Sequence, residues 1–154
     1  MLKVADLMSK DVFTLKFSDT IAHAKSLMNL ARIRHIPIVD GKNNFVGLIT
    51  HRDILAATIS KLAEIDEKTQ AELDASIPIC EIMRKDITTV PPDMPLKEAA
   101  QILVNHKYGC LPVLKDNKLV GILTEADFLN LTISLLSALE QEISLGSTSP
   151  RHTR

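Results

Sequence analysis

Apolar and polar positions along this 154-residue chain fall into short runs that alternate between strand-like and helix-like periods, and the same order of runs occurs twice. Residues 4–8 form a short helical or turn-like lead, and 11–15, Asp-Val-Phe-Thr-Leu, is a β-rich run that fits a short strand. Ser18 and Asp19 then offer an N-cap. Ile21, Ala24, Leu27, Met28 and Ala31 recur on one helical face, with His23, Lys25 and Asn29 elsewhere on the wheel, which predicts a helix over 20–31. Residues 35–39, His-Ile-Pro-Ile-Val, are a short buried strand whose Pro37 cannot donate to a ladder, so an edge or a bulge is expected there. The polar turn 40–44 joins it to 45–49, Phe-Val-Gly-Leu-Ile, in a β-hairpin.

The hairpin runs into the stretch around which the chain is organised, 47–53, Gly-Leu-Ile-Thr-His-Arg-Asp, which returns as 121–127, Gly-Ile-Leu-Thr-Glu-Ala-Asp. In each copy a strand feeds a helix, with Thr at the N-cap and Asp at the third helical position. Hydroxyl, carboxylate and free backbone N–H groups are thereby gathered at a helix start that can hold an anion. A single Thr-x-x-Asp is a common relative of the capping box; two copies in register point to paired sites or to a duplicated folding signal.

The rest of the repeat follows the same logic. Met8, Lys10, Asp11, Thr14, Ala24 and Pro37 match Met83, Lys85, Asp86, Thr89, Ala99 and Pro112 at an offset of 75. After one residue is lost in the second hairpin turn, Val46, Gly47, Thr50 and Asp53 match Val120, Gly121, Thr124 and Asp127 at an offset of 74. Between the halves, a long helix is expected from 54 to about 73, apolar at Leu55, Ile59 and Leu62 and ended by Ser76-Ile-Pro78. Leu129, Ile133 and Leu136 repeat that apolar spacing, continued by Leu139 and Ile143, and 146–154 is expected to be a disordered tail.

Composition narrows the function. Lys plus Arg number 18 against 19 for Asp plus Glu, and there is one Tyr, four Phe and no Trp, so nucleic acid is not an expected partner. Cys80 and Cys110 form no pattern and the N-terminus lacks the form of a signal peptide, which makes the cytoplasm the expected location. The apolar stretch 128–145 is broken by polar residues too often to span a bilayer. The histidines show no ligand spacing, and neither a metal site nor a cofactor is expected.

With these pieces placed, the chain resembles a tandem pair of cystathionine β-synthase (CBS) domains, a Bateman module. The carrying residues are His35-Ile-Pro-Ile-Val-Asp40 with 46–53, and Gly109-Cys-Leu-Pro-Val-Leu114 with 120–127. The resemblance spans about residues 4–134. It implies an α/β (α+β) fold of two pseudo-twofold-related β-α-β-β-α repeats packed through their sheets, with two ligand clefts. The expected boundaries are 1–60 for the first repeat, 61–78 for the inter-repeat helix or linker, 79–138 for the second repeat and 139–154 for the helix end and tail. Within these 154 residues no catalytic, transporter or kinase segment is attached, so a stand-alone module is expected.

The resemblance also implies roles. In similar members that bind adenosine derivatives, the motif Asp takes the ribose hydroxyls and the Thr contacts phosphate; here these are Asp53 with Thr50 and Asp127 with Thr124. Adenine is held through backbone groups by the first strand and the residues before the strand Pro. These are Val12, Phe13 and Thr14 with Ile36, and Ile87, Thr88 and Thr89 with Cys110 and Leu111. Arg34, His35, His51 and Arg52 supply cationic character in the first half, where the second has Gly109, Cys110, Glu125 and Ala126. A solvated role for the two Arg and a capping or packing role for the two His are the alternatives.

On charge alone, a cleft near the four basic residues should favour ADP or ATP. A cleft near Glu125 should be weaker, prefer AMP or stay empty. The clefts face each other in similar modules, so a side chain of one half can serve the other's ligand. The expected function is a non-catalytic regulatory module that binds AMP, ADP, ATP or a related adenosyl ligand and signals occupancy to an unknown regulated protein. No catalytic residue is expected, because nothing forms a nucleophile–base pair or a P-loop. The alternative is a structural dimerisation or scaffold module with vestigial clefts. A homodimer through Leu55, Ile59, Leu62, Leu129, Ile133 and Leu136 is expected on either reading.

Overall fold

The computed structural model describes residues 1–59 and 66–147. After α1 (Val4–Leu7) the first strand is shorter than the β-rich run suggests: β1 is Leu15–Lys16, and Val12, Phe13 and Thr14 precede it without ladder partners of their own. The cap of α2 (Ile21–Ala31) is Thr20, not Ser18 or Asp19. Asp19 is spent on the preceding turn, where its Oδ2 accepts the Lys16 N–H at 2.7 Å, leaving the Thr20 hydroxyl to take the His23 N–H at 3.5 Å.

Strands β2 (His35–Val39) and β3 (Phe45–Thr50) form the expected hairpin, its turn tied by Asp40 Oδ1 accepting the N–H groups of Lys42 and Asn44 at 2.8 and 2.9 Å. β2 is the central strand of the order β1-β2-β3, not an edge, although the register does slip between Ile38 and Val39, one residue past Pro37. Pro37 is tolerated there because it faces Leu48, whose N–H and C=O are both turned away to the backbone of Arg84 at 2.9 and 2.8 Å.

Helix α3 (His51–Ile59) leaves the motif, and α4 (Glu67–Ser76) ends at the expected place. The two are not one helix running from 54 to 73: Asp66 has extended backbone and opens α4 afresh, its Oδ1 accepting the Thr69 N–H at 2.7 Å. Leu62 lies outside the described residues. A 3-10 turn (Ile79–Glu81), α5 (Leu96–His106), β4 (Cys110–Lys115), β5 (Lys118–Thr124) and α6 (Glu125–Ser147) complete the second half. Its first strand is reduced to a parallel bridge between Val90 and Val113, so its sheet has two strands. Gly146 and Ser147 continue α6 instead of starting a tail; 148–154 lie outside the described residues.

Each half's core contains a piece of the other half's sequence. Ile21, Ala24, Met28, Ile36, Ile38, Ile49 and Ile54 enclose Ile79 from beyond α4, while Val90, Leu96, Ala99, Leu103, Leu111, Val113 and Leu123 enclose Val4. The segment that opens each half therefore crosses to the opposite sheet. Ser9 exchanges two backbone hydrogen bonds with Ile122 at 2.9 and 3.0 Å, as Arg84 does with Leu48.

This crossing explains the motif glycines. A Cβ on Gly47 would lie 2.9 Å from the Arg84 carbonyl oxygen and 2.9 Å from Met83 Sδ; one on Gly121 would lie 3.0 Å from the Ser9 carbonyl oxygen and 2.5 Å from Met8 Sδ. Leu48, Cys110 and Ile122, with Val12, Phe45 and Ile87 packed against them, fill the seam between the sheets.

Candidate functional site

Both motif helices start as the spacing demands. Thr50 and Asp53 close a reciprocal box, Thr50 N–H to Asp53 Oδ2 at 3.0 Å and Asp53 N–H to Thr50 Oγ1 at 3.1 Å. In the second copy the Thr124 N–H donates to Asp127 Oδ2 at 2.8 Å, and the Thr124 hydroxyl donates to the same oxygen at 3.3 Å. A backbone bond fixes each helix start against the opposite end of its hairpin: His51 N–H to the Arg34 carbonyl at 2.9 Å, and Glu125 N–H to the Gly109 carbonyl at 3.4 Å.

The first motif opens on a cleft of about 630 Å³. Its walls are Arg34, His35, Leu48, Thr50, His51, Arg52 and Leu55 of the first half, and Arg84, Asp86, Ile87, Thr88, Lys107, Tyr108, Gly109, Cys110 and Glu125 of the second. The structure thus brings together Arg34, His35, Thr50, His51, Arg52, Ile87, Thr88 and Cys110. Asp53 stands behind this wall, held by Arg84, whose Nε donates to Asp53 Oδ1 at 2.8 Å. Val12 packs in the seam, Phe13 is exposed, and Ile36 and Leu111, expected to meet adenine, are fully buried in the two cores and do not line the cleft. Thr14, Thr89, Thr124 and Asp127 do not line this cleft.

Two features escaped the sequence. Glu125, expected on charge at a separate, less basic cleft, shares this one with Arg34, His35, His51 and Arg52, the sharing between halves that facing clefts allow. The segments lie head to tail about the pseudo-twofold, so residues at the start of β4 and α6 face those at the start of β2 and α3. Arg84 and Lys107 were also missed, and they raise the cations on the wall to Arg34, Arg52, Arg84 and Lys107, against Asp86 and Glu125. The available signal was the repeat itself: Arg84 is the counterpart of Ser9, a charge gained on one side only.

His35 sits at the middle of this arrangement, its ring against the Cα of Gly109, where a Cβ would come within 2.6 Å of Nε2. Burial pushes its pKa below the ordinary value; Glu125 raises it, Arg34 lowers it further and Asp53 raises it, with burial prevailing. Its repeat counterpart Cys110 is buried, and desolvation lifts that thiol to about 12. A second groove of about 480 Å³ between α2 and α3 is lined by Lys25, Met28, Asn29, Arg32, Ile33 and Ile54 and shares Arg34, His51 and Leu55 with the cleft. Among the described residues no group of three or more His, Cys, Asp or Glu could hold a metal ion, and no helix is long and apolar enough to cross a membrane.

A family model of the CBS domain matches residues 4–60 and again 79–133. The chain belongs to the CBS domain family. A CBS domain-containing protein of Dictyostelium discoideum is 34% identical over 134 residues, covering 86% of this chain and 92% of the relative. The crystal structure of an acetoin utilization protein, AcuB, from Vibrio cholerae is 39% identical with a TM-score of 0.77, covering 92% of this chain and 97% of that one. The CBS pair of protein MJ0100, crystallised with 5′-methylthioadenosine and S-adenosyl-L-methionine, is 27% identical with a TM-score of 0.70, covering 87% of this chain and 98% of that one.

Proposed function

We propose that this CBS pair is a non-catalytic regulatory module that binds an adenosine nucleotide, AMP, ADP or ATP, and passes its occupancy to a partner protein. The observation that carries this reading is the first motif's cleft, where a helix N-terminus, a Thr hydroxyl and the cations Arg34, Arg52, Arg84 and Lys107 converge. Such a set suits a phosphate. Similarity to a CBS pair crystallised with two adenosyl compounds supports the nucleoside part of the ligand. Asp53 and Asp127 are the diol acceptors, and Thr50 and Thr124 the phosphate contacts.

A homodimer accompanies this reading. Leu55, Leu129, Ile133, Leu135, Leu136, Leu139 and Ile143 are all exposed, and a second copy would cover them. That apolar surface also favours the second reading, a dimerisation scaffold whose clefts are vestigial. Thermal denaturation with AMP, ADP, ATP and inorganic phosphate separates the two, because a ligand that binds the folded state raises its stability by mass action. The regulatory reading expects the midpoint to rise with a nucleotide and to stay put with phosphate; no rise with any nucleotide leaves only the scaffold.

A further inference from the structure

Both oxygens of Asp53 are committed, Oδ2 to the Thr50 N–H and Oδ1 to Arg84 Nε. Each oxygen can accept a second bond, but the Asp53 side chain is only 9% exposed and does not line the cleft, whereas Arg84, seated on its Oδ1, does. A ribose diol that takes this carboxylate from the cleft must displace Arg84. The backbone of Arg84 is fixed by its two hydrogen bonds to Leu48, whereas its side chain is 58% exposed and lines the cleft, so the guanidinium can swing while its Cα stays in place. At the matching place of the second half stands Ser9, which is uncharged and short.

The geometry points to Arg84 as the residue that makes the first motif's cleft select anionic adenosine nucleotides over uncharged or cationic adenosyl compounds, by ceding Asp53 to the diol and moving to the ligand phosphate. This rests on the reading of the cleft as an adenosine-nucleotide site. With AMP, Arg84 exchanges one charge-assisted bond for another. With 5′-methylthioadenosine the diol displaces Arg84 and no anion receives it. S-adenosyl-L-methionine has one carboxylate to offer Arg84, but it brings a sulfonium and an ammonium with it among the cations Arg34, Arg52 and Lys107. Because Arg84 is largely exposed, water moderates each of these differences, and the discrimination should be about tenfold.

The test is calorimetric titration of the full chain carrying Asp127→Ala, with AMP and with 5′-methylthioadenosine, before and after Arg84→Ser. The parent should prefer AMP by about tenfold. Arg84→Ser should weaken AMP by a similar factor while 5′-methylthioadenosine holds or tightens, so that the preference collapses; Arg84→Lys should retain most of it. If Arg84→Ser does not fold, Arg84→Gln carries the same expectation. Equal weakening of both ligands, or no change in either, overturns the selectivity role and leaves the nucleotide site standing. A parent that binds neither ligand overturns the nucleotide reading, and this inference with it.

Discussion

The two halves share the hairpin, the motif helix and the crossing segment, differ in whether the first strand forms, and differ most where a ligand would be felt. Gly47 and Gly121 both admit the crossing segment, Ile79 and Val4 both plug the opposite core, and Thr50 and Thr124 both donate their N–H to the motif Asp at a helix start. At the same symmetry, Arg84 stands against Ser9, His35 against Cys110, and His51 against Glu125. Duplication kept the positions that backbone packing dictates. The cleft walls were free to diverge, and their divergence places most of the charge around the first motif.

The largest effect expected from breaking this comparison is on stability. Gly47→Ala forces a methyl against the Arg84 backbone carbonyl and Met83, and overpacking of this kind costs about 1–3 kcal/mol. At Gly121 a Cβ meets Met8 Sδ at 2.5 Å and the Ser9 carbonyl oxygen at 3.0 Å, so Gly121→Ala should cost about as much. Urea denaturation midpoints of the two variants check both losses. Equal midpoints at the wild-type value would mean that the crossing segments are not tightly held.

A smaller effect follows from the central histidine. The folded state holds His35 below its ordinary value of 6.5, so the unfolded chain binds more protons as pH falls. The stability this contributes is complete above the ordinary value and is lost as pH drops through the folded one. His35→Gln should therefore flatten the fall in stability below about pH 6.5, read from denaturation curves across that range. Protonation adds a positive charge to the cleft while the AMP phosphate, with a second pKa of about 6, loses a negative one, so AMP affinity in the wild type should rise relative to that of the variant as pH falls. The faint end of the comparison is chemical: with its thiol pushed up to about 12, Cys110 should resist alkylation until unfolding, whereas exposed Cys80 reacts at once, as mass-spectrometric labelling would show.

Much of this architecture was legible in the sequence, because periodicity and duplication are local signals. The hairpins, the motif helices and α2 all follow from patterns within a dozen residues. Several failures came where a distant partner decides. The β-rich run at 11–15 pairs only at its end, because the segment before it crosses to the other sheet. Pro37 predicts an edge or a bulge, and it sits instead in a central strand, beside a register slip, because Leu48 bonds the distant Arg84. The Asp19 cap failed for a local reason, the turn that Lys16 closes three residues before it. For the candidate site, motif spacing singled out Thr50, which lines the cleft, and Asp53, which meets it only through Arg84; Thr124 and Asp127 open their helix as the spacing demands but do not line this cleft. The repeat marks Arg84 as a charge gained on one side only, but that Arg84 and Lys107 reach this cleft follows from the crossing, which periodicity does not encode.

The most direct test of the unequal-cleft account is a pair of titrations. Asp53→Ala and Asp127→Ala, each measured by calorimetry with AMP and with ATP at low and high salt, assign the binding to one motif or the other. Loss of the diol acceptor should weaken its own site by roughly tenfold or more. The account predicts that Asp53→Ala removes the binding that prefers ATP and weakens with salt, while Asp127→Ala leaves it intact. If both variants keep the same AMP-to-ATP ratio and the same salt dependence, the clefts are equivalent and the charge argument is wrong.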